Sequence, residues 1–250
     1  MPGFTAIPLE DLPAPVVVEI LDYERILSAL KTDLIARDSG LESVLELESE
    51  PLNKLLEVCA YRELILRARV NTAAQAVMIP YANGSDLDNL AALFAVERQV
   101  IDPGNPDISP PIPPTYEDDT RLRRRTQLSL EGHTTAGPIG SYVFWSISAD
   151  PAVSDVDVTS PNPGEVLVTV LSTEADGTPS QTLQDTVLAA LNHEDVRPLT
   201  DQVSVQSATI ISYQIVAALT LFTGSDTEVV RQAAEQAVTG HVTEHHALGH

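Results

Sequence analysis

The segment His241-Val242-Thr243-Glu244-His245 holds the most chemical promise in the chain. On a helix, histidines at i and i+4 share a face and can grip one metal, and the glutamate between them can activate a bound water. This is the H-x-x-E-H order of one class of zinc peptidases. A catalytic zinc needs a third protein ligand, which in that class comes from well downstream. Here the sequence reaches His250 almost at once, and His246 and His250 do not supply that architecture. The preferred reading is a solvated helix end, where histidines suit the negative pole of the helix dipole. A zinc hydrolase built on His241, Glu244 and His245 is the alternative.

Arg121-Leu122-Arg123-Arg124-Arg125 is the one basic block. A nucleic-acid face needs more cations than this, and after Arg125 only Arg197 and Arg231 remain. The block is expected on a helix that pairs with Glu117, Asp118 and other acids. In a variant of that reading, Arg121 and Arg124 dock the acidic surface of an adjacent subunit. Asp155, Asp157 and Glu165 could pose as paired carboxylates, with 155 and 157 on one face of a strand, but solvated acids are the simpler account. The chain carries no glycine-rich phosphate loop, no G-x-S-x-G elbow and no Cys-His pairing. No catalytic residue, metal ligand or cofactor is therefore assigned.

Composition narrows the partners. A formal charge of -22 repels nucleic acid and anionic membranes alike, so neither is expected. Aromatic residues are 4% of the chain, too few for a stacking site, while 43% hydrophobic residues can build sizeable cores in 250 residues. Cys59, the single cysteine, excludes an internal disulfide and fits a reducing cytosol as the place of synthesis. The N-terminal residues lack the basic flank and continuous apolar run of a signal peptide.

The elements that would hold these residues follow from periodicity. Residues 1–17, with Pro2, Pro8, Pro13 and Pro15, read as an extended arm in which Phe4, Ile7 and Leu9 could lie along a neighbour. Residues 18–102 read as a helical domain. Its first helix runs from about Val18 to Arg37. Its second runs from about Leu52 to Met78, roughly 40 Å at about 1.5 Å per residue. Leu55, Cys59, Leu66, Val70 and Val77 form a stripe on that helix, Val58 and Ile65 lie off it, and Arg62 and Arg69 are interspersed. A helix apolar on more than one side is buried by more than one neighbour, and other subunits are the expected neighbours. Ser85 with Asp88 reads as the cap of a third helix. Residues 103–116, with six prolines between 103 and 114, read as a semi-rigid linker and domain boundary. Residues 117–150 read as a helical connector. Residues 151–250 read as α+β, with a hairpin around SPNPG, a helix over QTLQDTVLAALN, strands over DQVSVQSA and ISYQIVAALTLF, and a last helix capped by Ser225 or Asp226. The fold class is thus α+β with mainly antiparallel sheets.

Two long blocks carry a resemblance. ESEPLNKLLEVCAYRELILRARVNTAAQAVMIPYANGSDLDNLAALFAVER is similar to the signature of the baseplate J-like family of contractile-tailed phages and phage-derived tail machines. YEDDTRLRRRTQLSLEGHTTAGPIGSYVFWSISADPAVSDVDVTSPNPGEVLVTVLS resembles that family's central region, in the same order. The resemblance implies a structural, non-enzymatic virion protein of the tail baseplate, made in the host cytoplasm. It implies a wedge built with a second copy of the chain and a smaller wedge partner protein, neighbouring wedges, a sheath initiator, and a ring around the central hub and spike that widens as the sheath contracts. The N-terminal helices would enter a bundle shared between subunits, which makes Leu55, Cys59, Arg62, Leu66, Arg69, Val70, Val77, Arg121 and Arg124 the candidate interface residues. Similar sequences are expected to continue beyond the segment HALGH with a further strand and helix, so the last domain is expected to be truncated.

Overall fold

The computed structural model describes residues 7, 9, 12, 13, 15–134, 136–220 and 226–248, the side chain of Glu244 excepted. Most of the proline-rich arm, Phe4 included, and Ser225 lie outside the described residues. The chain divides into two compact units at Leu93/Phe94.

The first unit is helical. Helix α1, Tyr23–Arg37, starts where Asp22 accepts a hydrogen bond from the Arg25 amide, five residues later than the apolar pattern suggested. A short helix, α2, spans Glu42–Leu45. Helix α3, Pro51–Ala76, has proline in its first turn, where the missing N–H costs nothing. Asn53 fastens its start by donating to the carbonyls of Leu45 and Leu47 at 2.9 and 2.8 Å. Helix α4, Ser85–Ala92, begins after Gly84 (φ 53°), and no side chain caps it. Ser85 is thus its first residue and not its cap, because glycine supplies the left-handed turn directly. Helix α1 packs along α3, with Ile26 and Ala60 buried. Arg67 of α3 bridges Glu63 and Glu19 at 2.6 and 2.8 Å, and Asn71 exchanges two hydrogen bonds with the Glu19 backbone.

The second unit is α+β. Strands β1, Val100–Asp102, and β2, Thr115–Tyr116, pair antiparallel, and Asn105 and Ile112 exchange backbone hydrogen bonds of 2.9 Å between them. The proline-rich stretch read as a linker is therefore folded back on itself within this unit. Gly104 permits the close approach, since a Cβ there would stand 2.3 Å from the Ile112 carbonyl oxygen. Helices α5, Asp119–Gly132, and α6, Ile139–Ala149, pack together. Gly132 ends α5 against the Phe144 ring, which a Cβ would overlap at 2.3 Å.

Strands β3, Val153–Thr159, and β4, Glu165–Ser172, form the expected hairpin, with Val156 opposite Val170 and Val158 opposite Val168. Helix α7, Gln181–Leu191, capped by Ser180, crosses to strand β5, Gln202–Ser207, which pairs parallel with β4. One of the three pairings is thus parallel, as a helical crossover requires. The core gathers Val153, Val168, Val170, Val187, Leu191, Leu122 and Ile147, all essentially without exposure.

The second strand expected over ISYQIVAALTLF does not form within residues 211–220; 221 and 222 lie outside the described residues. The segment alternates, but among the described residues no strand pairs with it, and Ile211, Tyr213 and Val216 are exposed. Helix α8, Thr227–Glu244, is capped by Asp226, whose carboxylate accepts from the Glu228 and Val229 amides.

Candidate assembly interface

The stripe on α3 is open to solvent in the isolated chain. Only Asn53 and Ala60 of its 26 residues are buried. Leu55, Cys59, Leu66, Val70 and Val77 are all exposed, Leu66 and Val77 to more than 65%. Successive residues of a helix turn by about 100°, which sets these five within one quadrant. Val58, Tyr61 and Ile65 form a second exposed stripe roughly a third of a turn away. Arg62 and Arg69 are exposed on the strip that separates the two. Sequence reasoning placed Val58 and Ile65 off the main stripe and did not count Tyr61; their spacing of three and four residues was the available signal. Exposed apolar stripes of this length on one helix make it the candidate contact site.

Arg121 and Arg124 are engaged within their own unit. Arg121 donates to the carbonyls of Ile147 (2.7 Å), Asp150 (3.1 Å) and Val153, and its Nε stands 3.2 Å from Glu117 Oε2. Burial pushes its guanidinium below the ordinary arginine value. Its guanidinium is largely committed within its own unit, with 18% of the side chain left exposed. Arg124 is half-exposed and pairs with Asp155 at 2.8 Å. Asp118, expected as an ion partner, caps α5 instead by accepting from the Arg121 amide.

The expected pairing of the arginine block with Glu117 is made most directly by Arg125, and its burial is what the sequence reading did not foresee. Both are buried, Glu117 at 2% exposure, and they form a direct ion pair. Glu117 also accepts from the Gln99 amide at 2.9 Å, and Arg125 donates to Glu97 and Ser148. Glu117 lies just before the Asp118 cap, and the spacing of Arg121 and Arg125 puts both on the face of α5 that meets it.

The other chemical candidates do not converge. Asp155 is held by Arg124 and by the Leu248 amide, and Glu165 accepts from Asn162. His241 and His245 stack with ring centroids 4.0 Å apart, as their spacing requires. His246 lies beyond the end of α8, and His250 is outside the described residues. Among the described residues, no group of three His, Cys, Asp or Glu is placed to hold a metal, and no helix is long and apolar enough to cross a membrane.

The first unit thus carries a long helix with exposed apolar stripes and the second is a well-packed α+β unit, and comparisons with known proteins match both. A family model for the baseplate J-like N-terminal domain matches residues 48–105, and one for the baseplate J-like central domain matches residues 134–207. Baseplate protein J of Escherichia phage P2 is 47% identical over 248 residues, covering 97% of this chain and 82% of that protein. The chain belongs to the baseplate J-like family. The N-terminal match takes in all of α3 with both stripes, and the central match runs from before α6 to the end of β5. Membership makes the chain a virion structural protein of a phage tail baseplate.

Proposed function

We propose that this baseplate J-like protein is a wedge component of a contractile tail. In this reading α3 joins a helix bundle with a second copy of the chain and a smaller wedge partner. The α+β units meet their counterparts in neighbouring wedges, form a ring around the central hub and spike, and pass the contraction signal toward the sheath initiator. The observation that supports it is the solvent-facing pair of apolar stripes on α3, which its own chain leaves uncovered among the described residues. Leu55, Cys59, Leu66, Val70 and Val77, with Arg62 and Arg69 between the stripes, are the residues assigned to the contact, and Arg124 is a peripheral contributor at most. Contacts of this kind concentrate their energy in a few central apolar anchors.

Size-exclusion with light scattering, on the chain alone and with the small partner, tests the proposal. The wild-type chain is expected to associate. Leu66→Asp is expected to abolish association while leaving Trp145 fluorescence of the α+β unit unchanged. Normal complex formation or normal particle assembly by Leu66→Asp would overturn the assignment of α3.

A further inference from the structure

None of the described side chains of α8 is buried. The Asp226 cap holds its first turn, and Arg231 bridges Glu228 and Glu235 along its surface. Its C-terminal end carries His241 in the last turn and His245 at the C-cap. Both are exposed, and their rings lie side by side, with centroids 4.0 Å apart and planes tilted by 40°.

The hydrogen bonds of this pair decide which ring nitrogen is free. His245 Nδ1 stands 2.9 Å from the His241 carbonyl oxygen. A carbonyl oxygen only accepts, so Nδ1 carries the proton, and in the neutral ring the lone pair is on Nε2. A backbone carbonyl that fixes one nitrogen and leaves the other to ligate is the usual outer shell of a metal-bound histidine. The same carbonyl accepts from the His245 amide at 3.1 Å, so the turn that spaces the two rings is closed. Four residues of spacing put both imidazoles on one helix face, within reach of one ion.

His246 points elsewhere. Its amide donates to the Thr243 carbonyl at 3.3 Å, and its Nε2 lies 2.8 Å from where a Cβ on Gly177 would stand. The pair thus offers two ligands, not the three of a catalytic zinc, and among the described residues no group of three is formed. A formal charge of -22 draws cations of every kind toward the chain. Imidazole nitrogens select among them, because they suit zinc, nickel and copper, whereas magnesium and calcium seek oxygen.

We propose that His241 and His245 form a two-ligand site for a divalent transition-metal ion of the zinc, nickel and copper class, and that the bound ion staples the end of α8. An ion that grips two residues one turn apart binds the helix and not the unfolded segment, so it stabilises the helix by linkage. No hydrolysis is assigned to the site, and it stands whatever partner meets α3.

Calorimetric titration of the full chain with zinc chloride, in excess magnesium, tests it. Wild type is expected to bind one zinc ion at the pair, and to bind copper more tightly than zinc. His245→Ala is expected to weaken zinc binding by at least about tenfold, since losing an outer-shell partner alone costs that much. The double variant Thr239→His, His245→Ala keeps the number of histidines but spaces them at i and i+2, off a common face. It is expected to bind as weakly as His245→Ala. In wild type, the imidazole NMR signals of His241 and His245 are expected to shift with zinc before those of His133, His193 and His246. Equal binding by wild type and either variant, or a first response at another histidine, would mean an adventitious ion only and would overturn the proposal.

Discussion

Helix α3 carries leucine, valine and alanine throughout, yet only two of its 26 residues are buried, while α5 carries four arginines and has five of its 14 residues buried, Arg125 among them. The difference teaches what each kind of pattern reports. An apolar stripe states which face ends up dry and is silent on whose atoms cover it. A cluster of charges marks a surface only when its partners are remote. For α5 the partner Glu117 lies just before the helix, eight residues ahead of Arg125, so the chain neutralises its own interior charge. Desolvating such a pair costs several kcal/mol per ion, and only mutual attraction with additional hydrogen bonds offsets that.

The largest effect that sharpens the comparison is therefore in the charged helix. Arg125→Ala strands Glu117 as a buried, uncompensated carboxylate and is expected to lose about 3–5 kcal/mol. Arg124→Ala removes a half-exposed pair with Asp155 and is expected to lose less than about 1 kcal/mol. Urea unfolding followed by Trp145, the single tryptophan and a residue of α6, gives both values. Equal losses would mean that burial is not what separates these neighbouring arginines. Leu66→Asp supplies the opposite pole: a severe change on the apolar helix that spares the fold and removes association.

Tyr142 gives the next effect in size. Its hydroxyl donates to Asp201 at 2.6 Å and ties α6 to the approach to β5. Burial first, and then this hydrogen bond, hold the phenol well above its usual range. Tyr142→Phe is expected to lose about 1.5–3 kcal/mol at neutral pH, the range for a hydrogen bond to a charged group. A raised folded-state value means that the contribution is complete below the ordinary phenol value of about 10 and disappears as pH climbs beyond it. The stability gap between wild type and Tyr142→Phe should therefore narrow in alkaline urea titrations.

How far the sequence could be read depended on how local each signal was. The apolar spacing from about Leu52 to Met78, the periodic run QTLQDTVLAALN and the alternation around SPNPG placed α3, α7 and the β3–β4 hairpin within a residue or two of where they lie. These features act through neighbours in the chain. The parallel pairing of β5, the unpaired state of residues 211–220 and the self-closure of the proline-rich ribbon all depend on distant backbone, which periodicity does not encode. The surplus apolar surface on α3, on which the proposed interface rests, was legible as a stripe wider than one neighbour covers. The pairing of the arginine block with Glu117 was legible too, but its burial and the part played by Arg98 and Gln99 were not. Only the folded ribbon brings Arg98 and Gln99 back against Glu117.

The smallest expected effect comes from transferring the arginine question to the apolar helix. Arg67 of α3 holds two carboxylates, Glu63 and Glu19, and these hydrogen bonds raise its guanidinium above the ordinary value. By a count of contacts it looks as well anchored as Arg125. Yet its side chain and those of both partners are at least a third exposed, so water and salt screen the attraction and replace what a mutation removes. Arg67→Ala is accordingly expected to leave the unfolding midpoint of the helical unit, followed by circular dichroism, where it was, and raising the salt concentration should not separate mutant from wild type. A loss comparable to that of Arg125→Ala would show that the Glu19–Arg67–Glu63 bridge holds the residues before α1 to α3 as firmly as the buried pair holds α5, and that the contrast between the two helices lies in their apolar residues alone.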